Sequence, residues 1–213
     1  MTEKQSGAAA VAPSALLVAL STALAYPADG LQAALGPLRA CASESACAAY
    51  ADALESLLAA AEAFTAPGVK QPQGAEASQL EYTRLFIGSF KMCAPPYASY
   101  YVDGEHQVQG PTTMEIVELY GQFGLELAQS EHECADHIRY LLVFAALLAR
   151  TYEERGQEEF AEAYRDFVEL YILRWLPEFE HLTCEYAEFF FYPALVRFVG
   201  DVLRGEGFDG QDF

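Results

Sequence analysis

The chain has 213 residues, 53% of them apolar, and carries 31 acidic against 12 basic side chains, a formal net charge of −19. That apolar content excludes an intrinsically disordered chain, and the acidity disfavours nucleic-acid phosphates and anionic membrane surfaces, whose binding rests on Lys and Arg. It favours cationic partners such as an arginine-bearing peptide, although acidity also serves simply to keep a chain in solution.

Helical periods dominate from the start. The stretch 8–25 is apolar enough to imitate the core of a secretory signal, but Glu3 offsets Lys4 and Pro13-Ser14 marks a helix start. Residues 14–25 are therefore expected as a first core helix, ended by Tyr26-Pro27. Asp29 can cap a short second helix through Leu31, Leu35 and Leu38, and a third is expected over 44–64, with Tyr50, Leu54, Leu57, Leu58 and Ala61 on one stripe. Residues 65–79, with Pro67, Gly68, Pro72 and Gly74, read as a flexible linker.

A short helix over 80–87 precedes an irregular stretch, 88–111, too long to be a mere connection and rich in aromatics. Tyr100-Tyr101-Val102 before Asp103-Gly104 has the form of a hairpin start, but no partner strand follows. Thr112-x-x-Glu115 has the capping-box form for a helix that Gly124 ends. The helix expected over 135–154 is apolar almost all round, the mark of a central, buried helix. An amphipathic helix over 157–176 and a further one opened by Pro177 follow, with a break or kink at Pro193 before 196–203. With no repeat and no parallel β pattern, the expected fold is a single all-α bundle over 1–213, frayed at 1–12 and 205–213.

Catalytic and metal chemistry find little support. The five cysteines, Cys41, Cys47, Cys93, Cys134 and Cys184, include no C-x-x-C pair, and such scattered thiols fit a reducing, cytoplasmic compartment. His132-Glu133-x-x-Asp136-His137 only superficially resembles a zinc helix, because residues five apart point about 140° away from each other on a helix. No Walker-type or strand-linked glycine motif is present, and no later run is long enough to span a membrane. No metal or cofactor is expected, and the chain is not expected to be an enzyme.

Four segments stand out in order: Glu81-Tyr82-Thr83-Arg84-Leu85-Phe86, Ala94-Pro95-Pro96-Tyr97-Ala98-Ser99-Tyr100-Tyr101, Asp136-His137-Ile138, and Trp175-Leu176-Pro177-Glu178-Phe179 with the later Phe191-Tyr192. Together they resemble the TorD/DmsD family of molybdoenzyme maturation chaperones. Two positions depart from the family pattern: Ala135 stands where a Pro usually precedes Asp-His, and Leu141 where a Glu is common. The resemblance implies a TorD-like helical fold and a cytoplasmic chaperone that binds the twin-arginine signal peptide and apo form of a molybdoenzyme. It further implies help with molybdopterin insertion, delayed export, and a monomer or a dimer that exchanges helices across the linker. A generic helical adaptor is the second reading.

Recognising paired guanidinium groups followed by an apolar helix calls for carboxylates, aromatic faces and an apolar groove. The expected peptide-binding residues are Pro96, Tyr97, Ser99, Tyr101, Glu133, Asp136 and His137, with Glu131 and Tyr100 beside them. Asp136 would contact a leader arginine or hold the turn that does. Each also has an architectural reading: Asp136 as the cap of its own helix, His137 as a packed ring bonded to a carbonyl, Tyr97 and Tyr101 as core aromatics, Ser99 as a turn cap. Trp175 and Phe179 are expected in the core.

Overall fold

Apolar side chains at three- and four-residue spacing fold here as helices, seen in a computed structural model that describes residues 10–29, 31–65, 75–88, 92–128 and 133–205. Expectations for Glu131, His132, residues 66–74 of the linker, the helix exchange they would permit, and the outermost chain ends lie outside the described residues.

Helix α1 (Ser14–Ala23) is followed by the short α2 (Leu31–Ala34) and α3 (Gly36–Cys41). A 3₁₀ turn (Ser45–Tyr50) leads into α4 (Ala51–Thr65), so the helix expected from residue 44 begins in the tighter form. Helix α5 (Ala75–Tyr82) starts five residues earlier than expected, which removes 75–79 from the linker. It runs into a π-helical turn (Thr83–Ile87). After α6 (Ala98–Val102) and α7 (Pro111–Gln122) come α8 (Ile138–Arg155) and α9 (Glu158–Val168). A second π-helical turn (Glu169–Leu173) precedes α10 (Leu176–Tyr186) and α11 (Phe191–Arg204).

The main packing is α1 against α8 and α3, α8 against α9, and α11 against α4 and α10. Leu16, Leu17 and Leu20 of α1, Ile138, Leu141, Leu142 and Leu148 of α8, and Leu195, Val196 and Val199 of α11 lie in one buried cluster. Among the described residues no helix is long and apolar enough to cross a membrane.

Four local expectations are corrected. The segment Tyr100-Tyr101-Val102 is helical, not the start of a hairpin. Helix α7 does not use a Thr112–Glu115 capping box: Gly110 is its N-cap, and the Asp103 carboxylate accepts from Thr112 N (3.2 Å) and Thr112 Oγ1 (2.5 Å). Helix α8 is not buried all round, since Val143 and Leu147 are exposed beside Val18 of α1 along one open cleft. The break near the C-terminus falls at 187–190, and Pro193 sits within the first turn of α11, where its missing N–H is of no consequence.

The four resembling segments meet in space. Tyr82 packs edge-on against Phe86 and Tyr192, with centroids at 5.0 and 6.0 Å, and Phe86 lies 5.8 Å from Phe179. Tyr82 Oη donates to Leu24 O, at the end of α1. Glu81, buried, accepts from Arg84 Nη2 at 2.7 Å and from the backbone N–H groups of Glu188 and Phe189 at 2.8 and 3.3 Å. Arg84 in turn donates to Tyr186 O, so one ion pair closes the α10–α11 turn onto α5.

Removing a buried partner of an ion pair strands the other groups it satisfied, but Arg84 is a third exposed, which lessens the loss. Glu81→Ala is expected to lower unfolding free energy by about 2–3 kcal/mol, and Glu81→Gln by roughly half that. Urea unfolding followed by far-ultraviolet circular dichroism measures both.

Candidate functional site

The first π-helical turn sets up the site. Leu85 O accepts from both Cys93 N and Ala94 N, at 3.1 and 2.8 Å, which anchors the start of the Pro95-Pro96 segment to this turn after α5. The segment then pairs with the turn before α8. Ala98 N donates to Asp136 O at 3.1 Å and Ile138 N to Pro96 O at 2.9 Å, forming an isolated antiparallel bridge between Tyr97 and His137.

Side chains reinforce this junction. Asp136 Oδ2 accepts from Ser99 N at 2.9 Å. Asp136 thus caps α6, a helix 37 residues earlier, rather than its own. The cap of α8 is His137, whose Nδ1 accepts from Arg139 N at 3.1 Å. That bond leaves the proton of the neutral ring on Nε2. Burial, with the Arg139 guanidinium nearby, pushes the His137 pKa down to about 3. The Tyr97 ring stands edge-on to His137 at 5.1 Å, and its hydroxyl donates to Glu133. Burial and that carboxylate push the Tyr97 phenol well up.

Solvent access divides the expected residues. Pro96, Ser99, Asp136 and His137 are buried, Asp136 and Ser99 completely, so direct contact of Asp136 with a leader arginine is ruled out in this conformation. It holds the turn. Tyr97, Tyr101 and Glu133 are half-buried. Tyr101 stacks on Trp175 with centroids 5.2 Å apart and planes 13° from parallel, as an aromatic wall resting on the core.

Next to the junction lies an open cavity of about 860 Å³. Pro95, Tyr100 and Tyr101 form one wall, Ile87 and Met92 another, and Glu178 and Leu182 of α10 a third. His106, Gln107 and Val108 close the rim. His106 and Gln109 hold left-handed backbone, φ 52° and 65°, uncommon for residues with side chains and a feature of shaped loops. Gln109 Nε2 reaches Cys134 Sγ at 3.2 Å, which ties this rim to the Asp136 turn.

Sequence reasoning missed Glu178, Leu182, Ile87, Met92 and His106. The signal for Glu178 was the acidic residue between Pro177 and Phe179, on the first turn of α10 and one position from a core aromatic.

The nitrate reductase delta subunit family matches residues 43–181. Chaperone protein TorD of Aliivibrio salmonicida is 30% identical over 140 residues, covering 62% of this chain and 65% of that one. TorD of Aliivibrio fischeri is 32% identical over 141 residues, with coverage of 62% and 65%. TorD of Vibrio cholerae (El Tor Inaba N16961) is 32% identical over 133 residues, covering 59% and 60%. The chain thus spans less than two thirds of these relatives' own length. In structure it is similar to a candidate redox enzyme maturation protein from Archaeoglobus fulgidus, with TM-score 0.53 and 24% identity over 95% of this chain and 99% of the other. That likeness is one of fold. The relatives carry chaperone names, in line with the expectation of a protein that is not an enzyme.

Two predictions follow from the junction. Asp136→Ala removes the α6 cap and should cost about 1–2 kcal/mol of stability, whereas Asp136→Asn, which keeps an acceptor, should cost less than half of that. Thermal unfolding monitored at Trp175 measures both. For His137, the folded pKa lies below the ordinary value of 6.5, so between about 3 and 6.5 the unfolded chain binds the extra proton. Stability contributed by the neutral ring is complete above that window and declines as pH falls through it. Between about pH 6.5 and 5, His137→Asn should therefore show a shallower loss of stability than wild type, by up to one proton's slope, in urea titrations.

Proposed function

Because the chain belongs to the nitrate reductase delta subunit family, with the TorD/DmsD chaperones it resembles, we propose that it is a cytoplasmic chaperone for a molybdoenzyme. It holds the apo-enzyme through its twin-arginine leader, assists molybdopterin insertion and delays export. The observation that carries this reading is the extent of the family match: residues 43–181 take in the whole bridged junction and nearly all of the cavity wall.

The cavity has the chemistry that such a leader needs. A guanidinium group is planar, binds carboxylates in a forked geometry and stacks on aromatic faces. Glu178 supplies a carboxylate beside Tyr100 and Tyr101, and Glu133, which accepts from the Tyr97 hydroxyl, supplies another on the adjoining junction. Ile87, Met92 and Leu182 offer apolar surface for the residues after the arginines. Pro96, Ser99, Asp136 and His137 act from beneath, by fixing the backbone that carries the aromatic wall. The strong negative charge of the chain adds long-range attraction for a cationic leader.

Calorimetric titration with a synthetic twin-arginine leader tests this. Binding near micromolar, about −8 kcal/mol, is expected, with a Lys-Lys peptide and a Glu178→Gln protein each weaker by about tenfold. The emission of Trp175, which backs Tyr101, should shift on saturation. Absence of binding to the leader and to the apo-enzyme alike would replace this reading with a generic adaptor. Leader binding indifferent to Glu178→Gln would keep the chaperone and discard the cavity.

A further inference from the structure

The sequence offers no familiar ligand spacing among its cysteines, yet the fold gathers two of them with a carboxylate. Helix α3 ends at Cys41, and the chain continues in tight turns: Glu44 N donates to Cys41 O at 3.0 Å and Cys47 N to Glu44 O at 3.0 Å. Two successive i→i+3 bonds thus link Cys41, Glu44 and Cys47, with Glu44 itself in extended backbone (φ −88°, ψ 134°) as the N-cap of the 3₁₀ turn. Their thiol sulfurs and a carboxylate oxygen all lie within 4.8 Å of one another.

We propose that Cys41, Glu44 and Cys47 form a binding site for a thiophilic divalent cation, Zn²⁺ in the first place. Two sulfurs on a tetrahedral zinc lie about 3.8 Å apart, given Zn–S bonds near 2.3 Å, so a small contraction of the cluster suffices. Soft thiolates select zinc over magnesium or calcium. The donor set also has an approach from solvent. Cys47 is buried behind, Glu44 is exposed, and both Cys41 and Glu44 line a cleft of about 600 Å³ between α1, α3 and α8. Three protein ligands leave a fourth coordination position open, for water or a partner's donor. Glu153, on the same cleft, already accepts from Ser14 N and Oγ, at 2.8 and 2.6 Å, and is not needed as a ligand. Binding converts both thiols to thiolates and releases their two protons to solvent. The site is remote in sequence from the cavity assigned to the leader, and the proposal does not depend on that assignment.

Cobalt is the probe. Reduced full-length protein titrated anaerobically with Co²⁺ is expected to develop a thiolate-to-cobalt charge-transfer band and the visible bands of tetrahedral Co²⁺, saturating at one equivalent and bleached by Zn²⁺. Cys41→Ser and Cys47→Ser should each lose the charge-transfer band, and Glu44→Gln should weaken binding about tenfold or more. Since the serine variants alter buried positions, alkylation of wild type provides a second reading. Zn²⁺ should slow iodoacetamide modification of Cys41 and Cys47 while leaving Cys93, Cys134 and Cys184 unchanged, as mapped by mass spectrometry. No charge-transfer band, a band that survives in both serine variants, or protection confined to the other three cysteines would overturn the proposal. So would a Cys41–Cys47 disulfide accompanied by no cobalt binding after reduction.

Discussion

The candidate site depends on one exchange of hydrogen bonds between two segments that neither helix period nor turn chemistry would bring together. Residues 96–99 and 136–138 trade two backbone hydrogen bonds, and the Asp136 carboxylate then closes the first turn of α6. A helix of five residues cannot stabilise itself in water, since nucleation fixes several residues for each hydrogen bond formed. α6 exists because the otherwise unpaired N–H of its first turn, that of Ser99, is met from the far side of the junction and because Tyr101 is held on Trp175. Asp136 and His137, adjacent in sequence, thus start two different helices: one caps its neighbour across the gap and the other caps its own.

This arrangement explains why buried polar residues mark a surface site. Asp136, Ser99 and His137 touch nothing outside the protein, yet they fix the direction of Tyr97, Tyr100 and Tyr101. Glu81 works in the same way at the opposite end of the aromatic cluster, where it holds the α10–α11 turn and so the placement of Phe191 and Tyr192. On the cavity itself Glu178 and the rim residue His106 are exposed, whereas Glu133, bonded to Tyr97, is half-buried.

Local features were legible in the sequence wherever the cause was local. The stripes of α4, α8 and α9, the helix start after Pro13, the stop at Gly124 and the use of Pro177 near a helix start all follow from spacing, caps and backbone restriction within a few residues. Partnerships across the chain were not legible. Asp136 was readable as a capping residue, but its partner lies 37 residues away, and Asp103 displaces a capping box that satisfied every local rule. The apolar residues of α8 were read as a fully buried helix, whereas α1 and α9 cover only part of it, and Val143 and Leu147 face a cleft. The Cys41–Glu44–Cys47 cluster is local but was hidden for a different reason. Its spacing matches no familiar ligand motif, and the side chains meet only because two successive i→i+3 turns fold the chain between α3 and the 3₁₀ turn.

The central claim is that a leader peptide seats in the cavity built on the junction between residues 96–99 and 136–138. Hydrogen–deuterium exchange of the protein with and without a saturating twin-arginine leader tests it most directly. Slowed exchange is predicted in residues 97–110 and in the first turns of α10, with the α1–α8 cleft unchanged. Slowed exchange confined to α1 and α8, around Val18, Val143 and Leu147, would contradict the account and place the peptide on the other face of the bundle.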